Sequence, residues 1–65
     1  MRNLTRLTNA ASTIAAWEDW NKLAATATEQ GHADLVEQLR PHKHNSWRVI
    51  DKRIAQLREA LTQVR

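Results

Sequence analysis

The feature that most constrains this chain is a single apolar repeat in its last third. Trp47, Ile50, Ile54, Leu57, Leu61 and Val64 follow one another at spacings of three, four, three, four and three. That rhythm keeps every apolar side chain on one stripe of a helix, the seam with which a helix buries itself against another helix. A partner surface for the seam must therefore come from the rest of the chain or from a second copy of it.

The rest of the chain is small. At 65 residues there is room for one domain, and a chain of this size buries only about 60% of the surface its unfolded form exposes. Such scaffolds lean on disulfides, a metal or a partner subunit. There is no cysteine, which removes the disulfide framework, thiolate catalysis and Cys-type zinc sites together. Self-association is the expected staple, with a homo-oligomer and most simply a dimer as the assembly. The cysteine-free composition suits the cytoplasm, which is the expected location. One Gly, one Pro and no Tyr or Phe leave out the vocabulary of a sheet, while Ala, Leu, Gln, Glu, Arg and Lys favour helix. An all-α fold follows, and no apolar run approaches the ~18 residues of a membrane span.

The spacing predicts three helices in a single domain. A long one runs over 9–30, with Thr8 or Asn9 as N-cap and Gly31 as the stop. Its apolar face is read as Ala10, Ile14, Trp17, Ala24 and Ala27, widened by Trp20 and Leu23. Glu18 and Lys22 stand one turn apart as an ion pair. A short helix over 33–40 carries Leu35, Val36 and Leu39 and ends before Pro41, because proline disfavours the helical conformation in the residue preceding it. After the loop 41–45, Asn45 or Ser46 caps the last helix, 46–64. The expected architecture is two long antiparallel helices with a short connecting helix. On its own this hairpin leaves the seam half covered, and self-association completes a bundle. The core and self-association seam is then Ile14, Trp17, Ala24 and Ala27 against Trp47, Ile50, Ile54, Leu57, Leu61 and Val64.

The segment before Ala16 also has Leu4, Leu7, Ala11 and Ile14 at helical spacing, with Arg2 and Arg6 and no acid before Glu18. Those are features of transit peptides and membrane-surface helices. Thr and Asn interrupt the apolar content, however, and the preferred reading is part of the folded domain.

The net charge of +3 is unevenly spread. Residues 1–7 carry +2, 8–30 carry −2, 31–41 carry −1 and 42–65 carry +4. An acidic first half beside a basic second half suits two helices of one bundle, so part of the basic excess is expected to be matched internally. What stands out locally is Arg40, His42, Lys43, His44 and Arg48 next to the indole of Trp47. A basic cluster with an aromatic neighbour fits an acidic protein surface or a phosphate backbone. Two histidines there would add charge as pH falls, histidine being the residue type that titrates near neutrality. Against a dedicated site, Arg40 is placed to meet the last carbonyls of its own helix, and Arg48 to pair with Asp51.

Other chemistry finds little footing. His42 and His44 have no Cys, Asp or Glu in the same loop to complete a tetrahedral set, and Lys43 lies between them, so no metal is expected. Neither a nucleophile, base and orienter set nor a glycine-rich phosphate loop is present, so neither catalysis nor a cofactor is expected. The run Asp34–Leu39, turn, Ser46–Leu57 is similar in outline to a helix-turn-helix. Its turn is longer than the ~3–4 residues of that motif and lacks glycine. Arg53 falls beside the seam, and Asp51 and Glu59 share the outer face with Arg48 and Lys52. Of the three tryptophans, Trp17 and Trp47 fall on apolar stripes and are expected in the core, whereas Trp20, at the edge of its stripe, is the expected partner anchor.

The functional expectation is a non-enzymatic helical interaction protein that self-associates and binds another macromolecule as adaptor, inhibitor or regulator. Its contact surface is the loop with Arg40, His42, Lys43, His44, Trp47 and Arg48, and a protein partner is favoured. The alternative is a small nucleic-acid-binding regulator that adds Arg2, Arg6, Lys52 and Arg53. A third reading makes His42 and His44 a pH-responsive switch.

Overall fold

The computed structural model describes the backbone of residues 2–63 and the side chains of residues 10–63. It is all helical, with α1 at Arg2–Glu29, α2 at Ala33–Leu39 and α3 at Trp47–Gln63. α1 does not begin at Asn9: its 28 residues are helical from Arg2, so Thr8 and Asn9 lie inside it. At ~1.5 Å per residue it spans about 42 Å, most of the 48 Å long axis of the molecule.

α1 ends in a Schellman motif. Gly31 sits at φ 91°, its N–H donates to the Thr28 carbonyl at 3.0 Å, and the His32 N–H donates to the Ala27 carbonyl at 2.9 Å. Both bonds satisfy carbonyls the helix end would otherwise orphan, and the left-handed backbone that makes them possible favours glycine. Two residues on, α2 starts with the His32 carbonyl accepting from Val36 N–H at 3.2 Å. Asp34 lies in its first turn, where a carboxylate meets the positive end of the helix dipole. α2 stops at Leu39, one residue short of expectation. Arg40 is extended (φ −56°, ψ 123°), the conformation that the ring of Pro41 imposes on its predecessor.

The core is Ala16, Trp20, Ala24 and Ala27 from α1, Val36 from α2, and Ile50, Ile54 and Leu57 from α3. Trp20, Ile50 and Leu57 are fully buried. Trp17, Leu23, Leu35, Leu39, Trp47 and Leu61 pack around them half-buried. The seam of α3 is thus closed within one chain, and its burial does not require a second copy. Val64 lies outside the described residues.

Two corrections concern α1. Ile14 is not in the core: it is 62% exposed, whereas Ala16, on another side of α1, is buried. Trp20 is not an edge residue open to a partner but the largest side chain of the core, at 0% exposure. Its indole Nε1 has no hydrogen-bond partner among the described residues. Burying that donor costs about 1–3 kcal/mol, which is offset by the large apolar area a Trp removes from water.

A third correction concerns direction. Thr13 lines a surface recess with Ser46, Trp47 and Arg48, while Asp19, Lys22, Leu23 and Thr26 line another with Arg58. Later residues of α1 therefore sit beside later residues of α3, so the two long helices run parallel. The antiparallel hairpin is not formed. α2 and the extended chain through Pro41, which is itself buried, carry the chain back alongside α1 before α3 begins.

Two stability tests follow from this packing. Leu57→Ala should cost about 2–5 kcal/mol in urea denaturation, whereas Ile14→Ala should stay within about 0.5 kcal/mol; equal costs would mean that the core is drawn wrongly. A Cβ added at Gly31 meets no atom within 4 Å, so Gly31→Ala should cost about 1–2 kcal/mol through backbone strain alone. A synthetic chain with D-alanine at that position should lose none of it.

Candidate functional site

The loop between α2 and α3 is built by a few local hydrogen bonds. Asn45 N–H donates to the His42 carbonyl at 3.0 Å, and the Asn45 side-chain Oδ1 accepts from His42 N–H at 2.8 Å. The two bonds close a turn whose tip is Lys43 and His44, both exposed, as is His42. Asn45 therefore locks the turn behind it and does not cap the helix ahead. The start of α3 is formed by Ser46, whose carbonyl accepts from Val49 and Ile50 N–H, each at 3.1 Å.

At that start, the Arg48 guanidinium lies 5.3 Å from the centroid of the Trp47 ring, a cation–π distance. The expected Arg48–Asp51 pair is not formed. Neither is Glu18–Lys22, since among the described residues the ion pair is Arg40–Glu37, at 2.8 Å. Arg40 thus turns to a carboxylate on its own helix and not to the last carbonyls of α2. Both partners are largely exposed, so the pair contributes only some tenths of a kcal/mol, yet it leaves Arg40 with its charge matched. Among the described residues, the cations of the loop without a carboxylate partner are Lys43 and Arg48.

Thr13, Ser46, Trp47 and Arg48 enclose an open recess of about 340 Å³. It combines a half-buried indole, a guanidinium, two hydroxyl side chains and the N-terminal end of a helix of 17 residues, whose free N–H groups carry partial positive charge. The chemistry of such a surface is complementary to a carboxylate or a phosphate. The second recess, about 380 Å³ and lined by Asp19, Lys22, Leu23, Thr26 and Arg58, carries both signs of charge.

The parallel packing decides which charges share an end. α3 starts at the level of Thr13, so the His42–Arg48 loop lies toward the N-terminal end of α1, where Arg2 and Arg6 also belong. In an antiparallel hairpin these two groups would sit at opposite ends. The side chains of Arg2 and Arg6 are outside the described ones. Lys52 is exposed, while Arg53 is half-buried and donates to the Gln56 side chain at 3.4 Å. Arg53 thus flanks the seam, and α3 does not present a continuous basic face, since Asp51 and Glu59 are exposed on it as well.

Thr13 was missed as a member of the site, because only the direction of α3 brings it beside Trp47. No three His, Asp or Glu residues cluster as metal ligands among the described residues, and no helix there is long and apolar enough to cross a membrane. Neither a protein-family profile, nor a curated protein, nor a solved structure matches this chain.

Proposed function

We propose that the protein is a small non-enzymatic interaction module that binds an acidic macromolecular surface through the basic end of its bundle. The observation that carries this reading is the turn with exposed His42, Lys43 and His44 leading into the start of α3, where Arg48 stacks on the half-buried Trp47, with Glu37 of α2 already matched by Arg40. The indole and its stacked guanidinium offer an anchor of the kind that dominates binding energy at interfaces, and the turn tip supplies charge that steers an acidic partner. An adaptor, inhibitor or regulator of an acidic protein fits this surface. A cysteine-free chain of this kind suits a reducing compartment such as the cytoplasm.

A protein is favoured over nucleic acid because the footprint is small and Asp51 is exposed one turn from Trp47, where it would repel a phosphate backbone. One observation favours the second reading: the end of α1 that bears Arg2 and Arg6 lies on the same side of the bundle as the loop. If nucleic acid were the target, each phosphate neutralised would add about −0.9 to the salt slope of binding.

Fluorescence anisotropy with a labelled acidic peptide and with a short labelled duplex DNA, each at rising salt, tests the proposal. The expected result is tighter binding of the peptide and a loss of about tenfold or more when Lys43→Glu and Arg48→Glu are combined, corresponding to at least ~1.4 kcal/mol. Binding of neither probe at low salt would refute it, and DNA binding with a steep salt slope would replace it with the second reading. Asn45→Ala should weaken peptide binding while leaving helicity unchanged, because it unlocks the turn and touches no core residue.

A further inference from the structure

The hydrogen bonds that close the turn at 42–45 use the backbone of His42 and Asn45 and the Asn45 side chain. Neither imidazole takes part. Among the described residues, the side chains of His42 and His44 have no hydrogen-bond or ion-pair partner, and both are exposed. A hydrogen-bonded reverse turn holds its first and fourth Cα atoms within about 7 Å. The two imidazoles, with the Lys43 side chain between them, therefore spring from one short span of backbone.

The charges of the neighbouring elements are few. At the end of α2, Arg40 and Glu37 neutralise each other. At the start of α3, Arg48 lies over the Trp47 ring, and Asp51 is exposed one turn further on. α1 has no ionisable residue between Arg6 and Glu18, so its stretch at the level of Thr13 adds no charge; the side chains of Arg2 and Arg6 lie outside the described ones. Lys43, Arg48 and Asp51 together carry +1, and two imidazolium groups bring this to +3. No charged side chain is buried among the described residues, so this change of surface charge leaves the core untouched. The third histidine, His32, follows Gly31 at the other end of α1.

We infer that the basic end is gated by pH: protonation of His42 and His44 tightens its hold on an acidic partner, and deprotonation loosens it. The gate rests on the reading of that end as a binding surface. Its sign follows from linkage. A partner's carboxylates favour the imidazolium form, so binding draws protons onto the rings. Affinity is then highest below the range in which histidines titrate, about pH 6.5, and falls as the pH rises through it. An aspartate-rich partner keeps its own charge across that window, since aspartate titrates near pH ~3.9. If binding raises the midpoint of each ring by about 0.3, affinity changes about threefold between pH ~7.5 and ~5.5.

Fluorescence anisotropy of a labelled aspartate-rich peptide with the full chain, at those two pH values and one ionic strength, tests the gate. Wild type should bind about threefold or more tightly at the lower pH, with far-UV circular dichroism unchanged. His42→Gln with His44→Gln should remove the difference, whereas His32→Gln should keep it. Followed by NMR, the ring protons of His42 and His44 should titrate at higher pH with peptide present than without it, and those of His32 at the same pH. Binding that depends on Lys43 and Arg48 but is equal at both pH values would overturn the gate and leave the binding surface standing. A pH effect that survives the double substitution, or that comes with loss of helix, would overturn the gate too. Absence of binding at both pH values would remove the surface and the gate together.

Discussion

The structure depends on the burial of one aromatic side chain, Trp20, against the aliphatic seam of α3. Trp20, Ile50 and Leu57 are fully buried, and the alanines of α1 above and below Trp20 let the two helix backbones approach. Each large side chain taken from water contributes roughly 1.5–3 kcal/mol. With no cysteine to form a disulfide and one exposed ion pair among the described residues, this contact is the main term holding α1 to α3. α2 adds Val36 to the same cluster.

Chain direction follows from how that contact is reached. Gly31 turns the chain out of α1, Val36 fastens α2 to the core, and Pro41 both ends α2 and is buried itself. The seven residues of α2 and the extended stretch after it are long enough to return the chain along α1 before α3 starts. The parallel arrangement then assembles a basic end from segments distant in sequence. Function is proposed at that end because charge without a carboxylate partner, an indole and a helix N-terminus converge there.

Much of this was legible from residue spacing. The seam of α3 up to Leu61, the glycine stop of α1 and the proline stop of α2 each rest on a local rule, and each was found where that rule put it. The errors came from α1 and from topology. Ile14 and Trp20 were exchanged because α1 has apolar residues on two faces, and periodicity alone does not say which face meets the seam. Thr8 and Asn9 look like caps, but helix-forming neighbours carry α1 through them to Arg2. Arg40 had two partners within reach, a carbonyl end and Glu37, and the folded chain pairs it with Glu37. The hairpin was expected because short connections usually join antiparallel neighbours; here a two-turn helix and a proline-stiffened loop form a return limb of their own. Thr13 could be joined to Trp47 only once that limb was known.

The parallel register of α1 and α3 is the claim on which the basic end stands, and a distance between labels tests it most directly. Spin labels at Ala11 and Arg48, compared with labels at Ala11 and Thr62 in dilute protein, report which end of α3 lies near the start of α1. The 11–48 distance should be the shorter by roughly 10 Å or more, given the ~1.5 Å rise per residue along α3. The reverse order, with Thr62 the nearer, would mean an antiparallel hairpin and would separate the loop from the N-terminal arginines.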